Sequence, residues 1–596
     1  MCGIFGIVTT KEQNLGTILM DAARRLTYRG YDSVGAATLS GSTIDLRKDA
    51  GKVEEVAKKY NIFEMVGSRG ITQLRWATFG TPSQVNAQPH FDSDGDMVGA
   101  HNGNIVNNVE LRKMFIEEGL NVRSENDGES CVHAVERYVD QGQDFITAIR
   151  HAYKDLEGDY SFVIGKANDD KLYAIKKGSG LVVGIGEDFT CVSSDLPSIL
   201  PLTRKVIRLE DGEVVTLWAD RVELHDVKDG SIIEREPEMI RESMRAVQKE
   251  GFDHFMLKEI HEQPNVAREL LHRLQGSHEE IDEVLQMIAN ARNLYFIGCG
   301  TSFHACLAGA IYFSQIAGKT VIPVIAPQFT PQYGNSINEQ DVGIFVSQSG
   351  ETKDVLNALE MAQSKGMKAI SLANVIGSTL TRKTEAWIPL VCGYEISVPA
   401  TKTFTNQIIS FLYLATRLAG EDTTDLARIP EWMAQTIEGT DSQMQALVPL
   451  INSWDDLYCL GYGSTYPMAL EGALKLKEIT YAHCEGMLST EYKHGPLSAV
   501  TDGFPVIFLA SQENIPLIIS GINEVTCRGG LAIAICQADQ RLIENASTVI
   551  TIPDAPAAIS SLLSVIPMQL LSYYMAVARG YDPDFPRNLS KTLTVD

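Results

Sequence analysis

The sequence is short of positive charge: its 596 residues carry 51 Lys and Arg against 76 Asp and Glu, a formal net charge of −25. That balance argues against nucleic acid or an anionic membrane as a partner, since both are bound through basic patches. A ligand carrying phosphate needs a local set of donors working against the field of the whole molecule. Long apolar runs are lacking too. The most apolar stretch, 557–578, is interrupted by Pro567, Gln569 and several serines, so it is expected to be a buried helix and not a membrane span. The N-terminus shows no basic region followed by an apolar run, so no secretory signal is read. Ten cysteines are scattered without a C-x-x-C or metal-ligand spacing, which predicts reduced thiols in a cytoplasm, no metal site and no cofactor. Most of them, such as Cys191, Cys392 and Cys536, lie in apolar runs and read as small core residues. Cys2 breaks that pattern.

What is present is an ordinary globular composition, 44% hydrophobic and 21% charged, on a chain too long for one core. The length predicts about three to five domains. Residues 2–235 alternate β-branched runs (4–9, 160–165, 205–209) with helical periods such as 128–139, and predict a layered α+β domain. The stretch 234–262 is rich in charge and methionine and has little strand signal, and 236–284 reads as a linker with connecting helices. Beyond it, apolar strands end in Gly/Ser turns followed by helices, the pattern of parallel-sheet α/β units. This second half repeats itself. Phe296-Ile-Gly-Cys-Gly-Thr-Ser302 aligns with Cys459-Leu-Gly-Tyr-Gly-Ser-Thr465 at an offset of 163 positions, and three further matches fall at the same offset. Two doubly wound α/β domains are expected, at 285–425 and 450–585, followed by a tail at 586–596.

Chemistry concentrates first at the N-terminus. Removal of Met1 would leave the Cys2 thiol and a free α-amine on one residue, so that the amine can serve as base for its own thiol. Arg75 and Thr78, in Leu74-Arg75-Trp76-Ala77-Thr78, supply a guanidinium that can fork onto a carboxylate and a hydroxyl beside it. Asn102 and Gly103 supply the donor pair expected of an oxyanion hole. Asp127 offers a carboxylate for an ammonium group. Taken singly, each reads as readily as a turn residue or a surface charge. Together, and with Tyr28-Arg29-Gly30-Tyr31-Asp32-Ser33, they resemble the N-terminal-nucleophile glutaminase domain of class II glutamine amidotransferases. That resemblance implies Cys2 as nucleophile, Asn102 and Gly103 as oxyanion hole, and Arg75, Thr78 and Asp127 as holders of L-glutamine. It implies that Trp76 closes the route by which ammonia leaves. Phe79 departs from the family, which commonly has histidine there.

A second set lies in the repeats. Ser347-Gln348-Ser349-Gly350-Glu351-Thr352 follows an apolar strand and opens an amphipathic helix, where hydroxyls and backbone N–H groups form an anion site. The corresponding Ala510-Ser511-Gln512-Glu513-Asn514 is less suited to an anion. Glu471, Lys475 and Glu478 fall at i, i+4 and i+7 on one helix face, which by itself reads as a solvated ion-pair stripe. The segment directly follows the repeat's glycine turn, where doubly wound sheets place ligands. His494, in Tyr492-Lys493-His494-Gly495-Pro496, adds a possible acid/base group.

These features, with the ending Pro586-Arg-Asn-Leu-Ser-Lys-Thr-Leu-Thr-Val-Asp596, resemble the sugar isomerase (SIS) domains of the glutamine–fructose-6-phosphate aminotransferase family. The resemblance implies that Cys299, Thr301, Ser302, Ser347, Gln348, Ser349 and Thr352 surround a ketose phosphate. It implies proton transfer by Glu478 with Lys475 assisting, ring opening by His494 from a neighbouring subunit of a homodimer, and an imine on Lys591. Pro399-Ala400 stands where the family generally has alanine and serine, and 484–491 replaces a smaller alanine-rich loop. Two other readings stay open: amination of a different ketose phosphate, motivated by Pro399-Ala400, and a phosphosugar-binding regulator.

Overall fold

The computed structural model describes residues 2–240 and 249–591. The chain divides into two compact units, one over residues up to 247 and one over 248–591.

The first unit holds two antiparallel sheets, of eight and seven strands. The strand Gly3–Asn14 runs between Phe189–Ser193 and Val66–Arg75 in the larger sheet. In the smaller sheet, Met97–Ile105 lies between His90–Phe91 and Gly158–Lys166. Ile4, Val8, Ala37 and Ile71 meet Val98, Ala100, Val163 and Ala174 in one core between the two sheets. The outer face of the smaller sheet is covered by Asn108–Glu117, Asp127–Val139 and Phe145–Asp155, through residues such as Phe115, Val135 and Ile149. The helix Gly16–Leu26 packs on the larger sheet. Residues 3–9 are therefore buried on both faces, which is why they read as an apolar run and not as an alternation. One feature departs from the expected linker: Glu238–Met239 pairs with Lys205–Arg208 and extends the larger sheet by a short edge strand. A two-residue pairing leaves no periodicity to read.

The second unit contains two five-stranded parallel sheets of identical order. In the first the order is Ile322–Ile325, Leu294–Gly298, Val342–Ser347, Lys368–Ala373, Ala386–Pro389. In the second it is His483–Leu488, Asp456–Gly461, Pro505–Leu509, Leu531–Gln537, Thr548–Ile552. The repeat read from the four matches at one offset thus extends through every strand. It fails in one connection. The first copy follows its edge strand with the helix Ala326–Tyr333, whereas the second has only the short turns Tyr492–His494 and Pro496–Ala499. A single core spans both sheets and the helices Lys402–Ala419 and Ile429–Ile451. Phe296 stacks on Phe411 there at 4.4 Å. The apolar stretch 557–578 forms two consecutive helices, Ala557–Leu563 and Val565–Ala578, and 83% of its most apolar window is buried. Pro567 is tolerated because it sits in the first turn of the second of these, where a backbone N–H has no helical acceptor.

Candidate active sites

In the first unit Cys2 immediately precedes the first strand and is 6% exposed. Its sulfur accepts from the Trp76 N–H at 3.3 Å and lies 3.6 Å from the Trp76 carbonyl, and Arg29 Nε donates to the Cys2 carbonyl at 3.2 Å. Burial pushes the thiol above its ordinary value, with the Trp76 N–H and the Arg75 charge pulling the other way. A thiol so placed needs a base close by. Met1, whose removal would free that base, lies outside the described residues.

Asn102 and Gly103, the pair expected of an oxyanion hole, lie near the end of the strand Met97–Ile105. Asn102 Nδ2 donates to Ser194 Oγ at 3.3 Å, and the same hydroxyl accepts from the Ile4 N–H at 2.9 Å, which ties the amide to the Cys2 strand. Gly103 has φ +124°, and a Cβ there would lie 2.1 Å from the Asp159 carbonyl oxygen, so only glycine can present its N–H in this way. Asp127 opens the helix Asp127–Val139, accepts from the Ile105 N–H at 3.1 Å and acts electrostatically on Cys2. Arg75 is fully buried, and its guanidinium donates to the carbonyls of Phe79, Gly80 (2.8 Å) and Thr81 (3.4 Å). It thereby curls the 76–81 loop, with Thr78 exposed on it. Phe79 contributes its backbone to that cap, a contact indifferent to its side chain. Trp76 meets Tyr31 edge-on at 5.8 Å. Arg29 and Ser194 carry part of this architecture. Arg29 lies inside the stretch 28–33, while nothing in the sequence marks Ser194.

In the second unit the segments 299–302 and 347–352 lie at the C-terminal ends of the adjacent parallel strands Leu294–Gly298 and Val342–Ser347. Strand order reverses between these two, and the helices Gly300–Ala317 and Lys353–Ser364 begin there. Two helix N-termini thus frame the crevice where such sheets bind ligands. Gly350, at φ +67°, would drive a Cβ to 2.0 Å from Ser378 Oγ. Ser347 Oγ accepts from the Gly350 N–H at 3.0 Å and lies 2.9 Å from Thr352 Oγ1, and Ser349 Oγ accepts from the Glu351 N–H at 3.2 Å. The Gln348 carbonyl accepts from the Asn374 N–H at 3.1 Å, and Ser302 Oγ accepts from Gln407 at 3.0 Å. Burial pushes the Cys299 thiol up to about 11, so it is a neutral wall of the crevice. The equivalent loop of the second copy satisfies itself: the Ser511 N–H donates to Asn514 Oδ1 at 3.1 Å and Asn514 Nδ2 donates to the Tyr462 carbonyl at 3.2 Å.

The Glu471–Lys475–Glu478 face is not a solvated stripe. Glu471 and Lys475 are fully buried, and the Glu478 side chain is 18% exposed. Lys475 Nζ lies 3.3 Å from Glu471 Oε1 and 2.6 Å from Glu478 Oε2, and donates to Thr301 Oγ1 at 3.2 Å. Thr301 Oγ1 donates to Glu471 Oε1 at 3.0 Å, which joins the first copy's loop to the second copy's helix. His304 adds a bond of 2.8 Å from Nδ1 to Glu471 Oε2. Burial alone would raise the Glu471 carboxyl, but Lys475, His304 and Thr301 hold it below the ordinary value. Burial does raise Glu478, which Lys475 offsets only in part.

Lys591 is buried and donates to Glu395 Oε2 at 2.5 Å. Glu395 also accepts from Thr403 Oγ1 (2.7 Å) and from the N–H groups of Thr401 and Thr403. Burial works against ionisation of this carboxyl, and the Lys591 charge and these donors more than compensate. The Lys591 charge also reaches Glu478. His494 stands apart: it is exposed on its short turn and makes no side-chain hydrogen bond or ion pair among the described residues.

Residues 74–200 match a glutamine amidotransferase domain family, and residues 287–417 and 450–579 each match the SIS domain family. The chain is 37% identical to the glutamine–fructose-6-phosphate aminotransferase (isomerizing) of Thermococcus kodakarensis and 38% identical to that of Clostridium tetani, with 100% of each chain covered. Among solved structures, the C-terminal domain of glucosamine-fructose-6-phosphate aminotransferase from Francisella tularensis is 28% identical, covers 56% of this chain and 99% of its own, and superposes with a TM-score of 0.52. With relatives this similar over its full length, the chain belongs to the glutamine–fructose-6-phosphate aminotransferase family.

Proposed function

We propose that this chain moves the amide nitrogen of L-glutamine onto D-fructose 6-phosphate and isomerises the sugar, giving D-glucosamine 6-phosphate and L-glutamate. The observation that carries the sugar half is Thr301, which belongs to the first copy's crevice and touches both Lys475 and Glu471 of the second. An acid/base cluster held this way in a buried position is costly to a pure binding protein, which disfavours a regulator.

In the glutaminase half, the Cys2 amine freed by loss of Met1 takes the thiol proton, and sulfur attacks the side-chain carbonyl of glutamine. Asn102 Nδ2–H and the Gly103 N–H receive the oxyanion, while Arg75, Thr78 and Asp127 hold the amino acid end. Ammonia leaves past Trp76, and water releases glutamate from the thioester. In the sugar half, Ser347, Gln348, Ser349 and Thr352, with Cys299, Thr301 and Ser302, surround the phosphosugar. His494, from the partner of a homodimer, opens the ring. Lys591 forms an imine at carbon 2 that ammonia displaces. Glu478 moves a proton from carbon 1 to carbon 2, with Lys475 assisting. We read the first unit as an N-terminal-nucleophile hydrolase and the chain as cytoplasmic, with no nucleic-acid or membrane partner. Its domains are taken as 2–235, 285–425 and 450–585, with 236–284 as linker and 586–596 as catalytic tail.

The test is mass-spectrometric identification of the product formed from glutamine and a panel of ketose phosphates. Glucosamine 6-phosphate as the dominant product supports the reading. A different amino sugar would point to Pro399-Ala400 as the reason.

A further inference from the structure

Lys475 has a carboxylate on each side, yet the two are not equivalent. Glu478 Oε2 has the ammonium at 2.6 Å, and the Glu478 side chain is 18% exposed. Glu471 is sealed and has three donors: Lys475 and the Thr301 hydroxyl at Oε1, and His304 at Oε2. A carboxylate can only accept, so the His304 ring must carry its proton on Nδ1 in this bond. Among the described residues, that bond is the only one to Oε2. Without it a buried carboxylate oxygen has no donor, a state that costs free energy unless the group takes a proton or rotates toward Lys475. Protonation leaves the ammonium to Glu478 alone, and rotation draws it away from Glu478; either response resets the basicity of Glu478.

We propose that His304 is a positioning residue for the sugar isomerisation: by holding Glu471 Oε2 it keeps Glu471 ionised and leaves Glu478 as the carboxylate that exchanges the substrate proton. The inference rests on the proposed function and deepens it, because His304 touches no reacting atom itself. The charged and titratable groups facing this pair are Lys475, from the same helix, His304, from Gly300–Ala317, and Lys591, from the tail. The opposite shifts of the two carboxyls agree with it: groups driven apart in this way divide the acid and base roles between them.

The experiment compares His304→Asn, His304→Gln and His304→Leu in the full-length enzyme, following exchange of the carbon 1 proton of fructose 6-phosphate across pH. Asparagine carries its amide nitrogen close to the position of Nδ1. Glutamine carries it near the position of Nε2, and leucine has no donor. Asparagine should keep most of the rate, while glutamine and leucine should lower kcat roughly 10- to 100-fold with KM nearly unchanged. The acid limb of their pH profiles should also move. Glutaminase activity in all three should match the parent. If leucine and glutamine retain the parental kcat and pH profile, or asparagine does no better than either, the inference is wrong. If leucine does not fold, the asparagine–glutamine contrast decides alone. Failure of the parent enzyme to exchange that proton overturns the proposed function instead.

Discussion

A carboxylate that serves as base must be ionised, so the position of Glu478 sets a pH limit on the sugar reaction. Burial raises its carboxyl above the ordinary glutamate value, and Lys475 and Lys591 only partly oppose that. Activity should therefore fall as pH drops through a point above about 4.3, the reference for a free glutamate. Measured kcat/KM for fructose 6-phosphate should show that limb, and Glu478→Gln should lose isomerisation by at least about 100-fold at every pH. A limb at the reference glutamate value would contradict the assignment. Residues of this kind were legible in part. Cys2, Asn102, Gly103 and Asp127 stand in short, chemically distinctive stretches. His304 and Glu395 do not, because their meaning comes from partners 167 and 196 positions away, Glu471 and Lys591. Burial decided the case of Glu471 and Lys475: spacing gives the same stripe whether water or a protein core lies opposite.

At the scale of elements, the sequence reported its repeat through the glycine turns, which allow close approach of strand and helix, and through three further matches at the same offset. It could not report that one connecting helix becomes the His494 turn, because loss of a helix leaves no pattern. The 347–352 loop invites a direct test. Ser347→Ala removes the hydroxyl that accepts from the Gly350 N–H, and Thr352→Ala removes its neighbour at 2.9 Å. Each should weaken fructose 6-phosphate binding about 10-fold, the worth of one hydrogen bond to a charged group. Isothermal titration checks this, and unchanged affinity in both would move the phosphate elsewhere. The tail is another short element with one anchor. Glu395→Ala leaves the Lys591 ammonium without its carboxylate, in a place where Lys591 is almost wholly buried. Borohydride trapping of the sugar on the C-terminal peptide should then drop by more than about 10-fold. Phosphosugar affinity should stay close to the parent. Equal trapping in the variant would show that Glu395 does not hold the lysine in place.

For the whole molecule, the decisive property is that the two chemistries stand on separately built units. The first has its own core between two antiparallel sheets, and the second has one core running through both parallel sheets. No residue of the glutamine set belongs to the second core, and none of the sugar set belongs to the first. Cys2→Ala should consequently abolish glutamate release, since it removes the proposed nucleophile, while fructose 6-phosphate affinity stays within about twofold. Proton exchange at carbon 1 should persist in that variant, because Glu478, Lys475 and Lys591 are untouched. Amino sugar formation from glutamine should stop, because nitrogen is no longer supplied. The same logic makes the first residue a control point. If the Cys2 amine is the base, enzyme that retains Met1 should behave as Cys2→Ala does, with an intact sugar half and a silent glutaminase. Intact-mass measurement paired with both assays separates the cases. Full glutaminase activity in a population that keeps Met1 would assign the base to another group.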